Sequence, residues 1–204
     1  MGCDGNMITN DSSHASRSNS GFSLVELLAT MLIVTMTALV VATAVPAAIR
    51  AYRGLVDSSN AQSLLSDTAT TLRDELAFSE WKEPAGGILE YTSDKDGKDY
   101  TLKIYAGPSD GTAAAGTKIT VGELVKIDAS KIIYKIVPES AAVSSSGIDL
   151  YVTCDDDDPI GQNGNAVVFS KLKVLKNEGD TDHVLAETNT FAVRMMTPAK
   201  VATP

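Results

Sequence analysis

The chain has 204 residues, 44% of them apolar, a net charge of −9 and a pI near 4.6. That acidic balance argues against nucleic acid as a direct partner, because phosphate binding needs a basic patch. Two cysteines, Cys3 and Cys154, with no CxxC spacing argue against a disulfide-stapled scaffold, so a folded domain must rest on its apolar core.

Residues 1–21 are polar, and Asn10 to Ser20 is rich in Ser and Asn. Such a stretch buries too little apolar surface to fold, so it is predicted to be disordered. It does not read as a secretory signal, because it abuts an apolar span too long for one and no small-residue cleavage site follows. Met1-Gly2-Cys3 suggests acylation at first sight. Asn6 stands where a myristoylation signal wants Ser or Thr, and Cys3 lacks the preceding apolar stretch of a lipoprotein site.

An apolar run follows from Phe22 to Ile49, 28 residues with a single charge, Glu26. As a helix it spans about 42 Å, longer than the roughly 30 Å hydrocarbon core of a bilayer. A carboxylate inside such a span costs roughly 2.5–3.5 kcal/mol and marks a functional position by default. The competing reading puts Glu26 near the membrane surface, where it reaches water. Pro46 lacks an amide hydrogen and is predicted to kink the helix near its end. Arg17 flanks one end of the run, Arg50 and Arg53 the other. Charge counting alone slightly favours a cytoplasmic C-terminus.

Residues 50–83 are predicted to continue the helix as an amphipathic segment. Ala61, Leu65, Ala69, Leu72 and Leu76 form one apolar stripe that packs on a core, and Pro84 with Gly86-Gly87 ends it. From Ile88 the pattern turns to strand. A hairpin is expected around a turn at Asp94 to Asp99, with Leu102 and Ile104 on one face. Gly107 to Thr117 and Ser140 to Gly147 read as loops. Lys118 to Ile127, Lys131 to Val137, Ile148 to Cys154, Ala166 to Leu175 and His183 to Met196 read as strands, with Cys154 a buried core thiol. The expected fold is therefore α+β: a long N-terminal helix packed on an antiparallel sheet head over 84–204.

Catalytic chemistry finds no motif. His183, beside Asp182, reads as a solvated turn residue, and no GxSxG, HExxH or phosphate loop occurs. The expectation is a non-enzyme with no cofactor. Asp155 to Asp158 could gather oxygen ligands for Ca²⁺, yet Pro159-Ile160 breaks the EF-hand pattern and a solvated acidic loop is the simpler reading.

Gly21-Phe22-Ser23-Leu24-Val25-Glu26-Leu27-Leu28 resembles the processing site of type IV prepilins and of the pseudopilins of type II secretion and competence systems. The resemblance implies a cut between Gly21 and Phe22 by prepilin peptidase, methylation of Phe22, and pairing of Glu26 with an N-terminus during filament assembly. It implies a cytoplasmic 1–21 leader, a transmembrane and filament-core helix over 22–49, and a head outside the cytoplasmic membrane, against the charge count. Other pilin or pseudopilin subunits are the implied partners. Arg17 is the only basic residue before the cut, where such leaders usually carry several. Leu64-Leu65-Ser66-Asp67, Leu72 to Leu76 and the late Asn189 to Val193 look like J-type pseudopilins and W-type minor pilins. The alternative is a single-span, membrane-anchored binding domain that does not assemble. Once 1–21 is removed, Cys154 stands alone and no intrachain disulfide is possible.

Overall fold

The computed structural model describes residues 23–137, 149–155, 159–178 and 181–196. The chain divides into two compact units, Met1–Ala47 and Ala48–Pro204. One helix, α1 (Leu24–Leu76), and twelve strands account for most of the described residues, so the fold is α+β. Pro46 lies inside α1, which continues on both sides of it.

In the second unit, α1 buries Asp57, Ala61, Leu64, Thr68, Leu72 and Leu76. The steps of three and four are those of one helix face. Ala61, Leu72 and Leu76 are buried as expected, but the middle of the stripe is shifted by one residue: Leu64 and Thr68 occupy its centre, while Leu65 and Ala69 are half-buried at its margin. Thr68 is tolerated there because its hydroxyl donates to the Leu64 carbonyl at 2.7 Å. Burying each leucine of this face contributes about 1.5–3 kcal/mol.

The helix stops at Leu76, earlier than the expected break at Pro84. Ala77 makes the last helical amide bond, to Arg73, and the buried Ser79 hydroxyl donates back to the Glu75 carbonyl. The chain then extends as β1 (Glu80–Trp81) so that Trp81, 1% exposed, enters the core. Pro84 and Gly86-Gly87 serve the next reversal instead. Ala85 and Ile88 exchange both backbone hydrogen bonds around Gly86 (φ 59°) and Gly87 (φ 73°). That two-residue turn needs positive φ twice. A side chain on Gly87 would also press into the Pro159 ring.

The first sheet has the order β1-β2-β3-β5-β6-β4, with β2 (Leu89–Thr92), β3 (Asp99–Ile104), β4 (Thr112–Ala113), β5 (Leu124–Asp128) and β6 (Ile132–Lys135). All pairs are antiparallel except β4 with β6. The expected hairpin is β2–β3, with Leu89 opposite Leu102. The expected strand from Lys118 begins only at Leu124, because Thr120 to Glu123 make a turn with Gly122 at φ 91°. The expected loop from Gly107 holds a 3₁₀ turn and β4. The expected Ser140 to Gly147 loop lies outside the described residues.

Two three-stranded sheets complete the head. One is β11-β10-β7 and the other β12-β9-β8, formed by β7 (Leu150–Thr153), β8 (Ile160–Asn163), β9 (Ala166–Ser170), β10 (Lys173–Glu178), β11 (Thr181–Glu187) and β12 (Thr190–Arg194). Each of the two last expected strands is therefore split in two. The breaks fall side by side: Lys171 adopts φ 43°, its amide donates to Asn189, and the Thr188 amide donates to Leu172. A double ladder thus passes from one sheet to the other in both directions. Strand β7 is buried on both faces, so its expected alternation is absent.

Polar bonds fasten α1 to the sheets within this unit. Glu75 accepts from the Tyr91 hydroxyl at 2.8 Å and from Lys126 Nζ at 2.6 Å, and Lys126 lies 4.5 Å over the Tyr100 ring. Asp57 and Lys176 of β10 pair at 3.0 Å, with side chains only 6% and 12% exposed. Removing one member of a buried pair strands the other charge, whereas replacing both by apolar groups is often neutral. Asp57→Ala is expected to cost about 3 kcal/mol, and Asp57→Leu with Lys176→Met much less. Thermal unfolding of the full chain in detergent checks the contrast; equal losses would contradict it.

Candidate functional site

Ser23 opens α1, its carbonyl accepting the amides of Glu26 at 2.9 Å and Leu27 at 3.1 Å. Glu26 therefore sits in the first helical turn, where the amide dipoles favour a negative charge. Every residue from Ser23 to Leu55 is exposed, including Leu24, Val25, Leu28, Met31, Ile33 and Leu39. Among the described residues, this is the one helix long and apolar enough to cross a membrane.

The polar side chains of this surface sort into two kinds. Thr30, Thr35, Thr37 and Thr43 each donate to a carbonyl three or four residues back, at 2.9–3.2 Å. Their hydroxyls are satisfied within the helix, the condition that a water-free surrounding imposes. Glu26 alone among the polar side chains of Leu24 to Ile49 has no side-chain partner among the described residues. An acceptor that the helix cannot satisfy requires water, a headgroup or a cation from outside it. Gly21 and Phe22 lie outside the described residues, so the geometry of the expected cut and of the Phe22 amine is not described.

The remaining candidates fall in the head. Cys154 is 2% exposed among the core residues, and burial pushes its thiol up to about 12. Asp155 accepts from Lys171 Nζ at 3.0 Å and Lys173 Nζ at 3.4 Å. These ammonium groups, Lys171 foremost, hold its carboxyl below the usual range. The first carboxylate of the acidic run is thus already neutralised by lysines. Asp156 to Asp158 lie outside the described residues, and no group of three or more metal-binding side chains occurs among the described ones. His183 lies exposed within β11, not at a turn.

Sequence reasoning passed over Asp57, Glu75, Lys126 and Lys176. Asp57 had a signal, since it stands four residues before Ala61 and so on the same helix face. The lysines had none, because their partners are distant in sequence.

Residues 16–42 match the prokaryotic N-terminal methylation motif, a stretch containing Gly21, Phe22 and Glu26. That match supports a type IV prepilin- or pseudopilin-type precursor. It ends at residue 42 and does not bear on the J-type or W-type resemblance of the later helix and head. No curated protein and no solved structure matches the chain.

The state of Cys154 gives a direct check on the head core. A thiol with so high a pKa carries almost no thiolate near pH 8. In the native full chain at that pH, Cys154 should resist iodoacetamide, and it should be alkylated once denaturant opens the core. Peptide mapping reads both states; prompt native labelling would contradict the packing described.

Proposed function

We propose that the chain is a structural subunit, a minor pilin or pseudopilin, of a type IV pilus, type II secretion or competence filament. The observation that carries this reading is the methylation motif at the start of an exposed apolar helix where, between Leu24 and Ile49, Glu26 is the one polar side chain with no partner among the described residues. In this reading prepilin peptidase cuts after Gly21 and Phe22 becomes the methylated N-terminus. The precursor stands in the cytoplasmic membrane with its head outside, and other pilin-type subunits are its partners. The function is assembly and not catalysis. The head supplies a folded surface, and the helix supplies the packing face.

Glu26 then acts between subunits. A helix staggered against its neighbour brings one Glu26 beside another chain's Phe22 ammonium. In a dry bundle that attraction is far stronger than in water, and either charge left alone is costly. Pairing of this sort sets register, the best-attested use of buried charge.

Two variants test the proposal at different steps. Gly21→Val should leave an uncut, full-length membrane protein, because a branched side chain blocks close approach of the peptidase to the backbone. Glu26→Val should insert, be cut and keep its folded head, yet be lost from the sheared-filament fraction or fail to recruit its partner subunits. Membrane fractionation and immunoblotting of sheared filaments read both outcomes. Unchanged incorporation of Glu26→Val would reduce Glu26 to a tolerated interfacial carboxylate.

A further inference from the structure

Directly after the apolar run, α1 carries Arg50, Tyr52 and Arg53, all in the second unit. All three are exposed, Tyr52 by 69%. From Ser23 to Val56 the only charged residues are Glu26, Arg50 and Arg53. Neither arginine has an ion pair or ring contact among the described residues. They stand three residues apart, which places them on one side of the helix. The next carboxylate, Asp57, is no partner for them, since it is turned into the core against Lys176. Two uncovered cations and a phenol thus border the apolar surface of a protein whose net charge is −9.

We propose that Arg50, Tyr52 and Arg53 form a belt that docks on anionic phospholipid headgroups and fixes the depth of the span. The proposal rests on the membrane-anchored precursor proposed above. Guanidinium groups match phosphate with paired N–H donors, and their long stems let the charge reach headgroups from the hydrocarbon edge. Tyrosine collects at this boundary because its ring is apolar and its hydroxyl is polar. The complementary charge must come from outside the chain, and the continuous apolar surface beside the belt points to lipid as its source.

The belt also decides where Glu26 lies. A hydrocarbon core takes about 20 helical residues. Counted back from Ile49, those residues reach Thr30. Glu26 then falls beyond the core, in the opposite headgroup layer. The carboxylate keeps its charge there at low cost until assembly.

The test uses the full chain in phosphatidylcholine vesicles, with and without phosphatidylglycerol. Tyr52→Trp provides the probe, and the parent, whose Trp81 is 1% exposed in the core, provides the blank. Lipids carry a quencher either near the glycerol or at the acyl end. The expected result is blue-shifted emission quenched mainly by the shallow label, more so with phosphatidylglycerol. Arg50→Gln with Arg53→Gln should abolish that lipid-charge dependence. Three results would overturn the belt: no quenching from either label, quenching unchanged by lipid charge and by the double substitution, or a double substitution that leaves quenching intact and releases a bound acidic subunit. Flotation of the vesicles separates this failure from that of the underlying reading. A chain that floats with lipid while the introduced indole stays unquenched sinks the belt alone, and a chain that never floats sinks the anchored precursor as well.

Discussion

A carboxylate on an apolar helix surface must find a partner wherever that surface leaves water. Between Leu24 and Ile49 of α1 the constraint is sharp because the other polar groups are already settled. The threonines between Leu24 and Ile49 bond to their own helix, the backbone is satisfied by α1 itself, and the apolar side chains all face outward. Such a surface is content in lipid or against identical surfaces, and in neither place can Glu26 be ignored. Removal of the leader would create a charge able to answer it, the amine of Phe22. In the proposed function, cleavage and assembly are thereby coupled through one electrostatic requirement.

The head obeys the opposite rule. Its buried charges are answered within the second unit: Asp57 by Lys176, Glu75 by Lys126 and Tyr91, and Asp110 by Lys103 at 2.6 Å. Among the described residues no buried side-chain polar atom lacks a partner. Glu123 shows the limit of this economy. It faces Lys135 at 3.4 Å in a nearly dry site, and burial raises its pKa despite the lysine and the Thr120 amide. A raised carboxyl pKa means that the folded state holds the proton more tightly. This contribution to stability is present at acid pH and is lost as pH rises through the folded value. The pair therefore fixes position more than it stabilises.

Legibility in the sequence followed the range of the physics. The helix, its exposed apolar half, Glu26 and the methylation motif are local, and a reading of periodicity and one short motif found them. The β2–β3 hairpin and the buried Cys154 were equally local. Ala61, Leu72 and Leu76 were placed on the packed face correctly, but its middle was misplaced by one residue, because leucines at both 64 and 65 satisfy the same period and only tertiary contact chooses between them. The end of α1 was misplaced because burial of Trp81 and the Ser79 cap outweigh the continuing helical pattern. The splitting of two expected strands at Lys171 and Asn189 depends on two chain segments bonding to each other, which no single window contains. Lys126 and Lys176 were invisible for the same reason.

The pairing role proposed for Glu26 depends on a new N-terminus being made at Phe22. Intact-mass and N-terminal peptide mass spectrometry of the protein recovered from the membrane fraction tests this most directly. The expected result is a chain that begins at Phe22, carries one added methyl group there, and has lost Cys3 with the leader. A mature chain that begins at Met1, or at a residue far from Phe22, would contradict it.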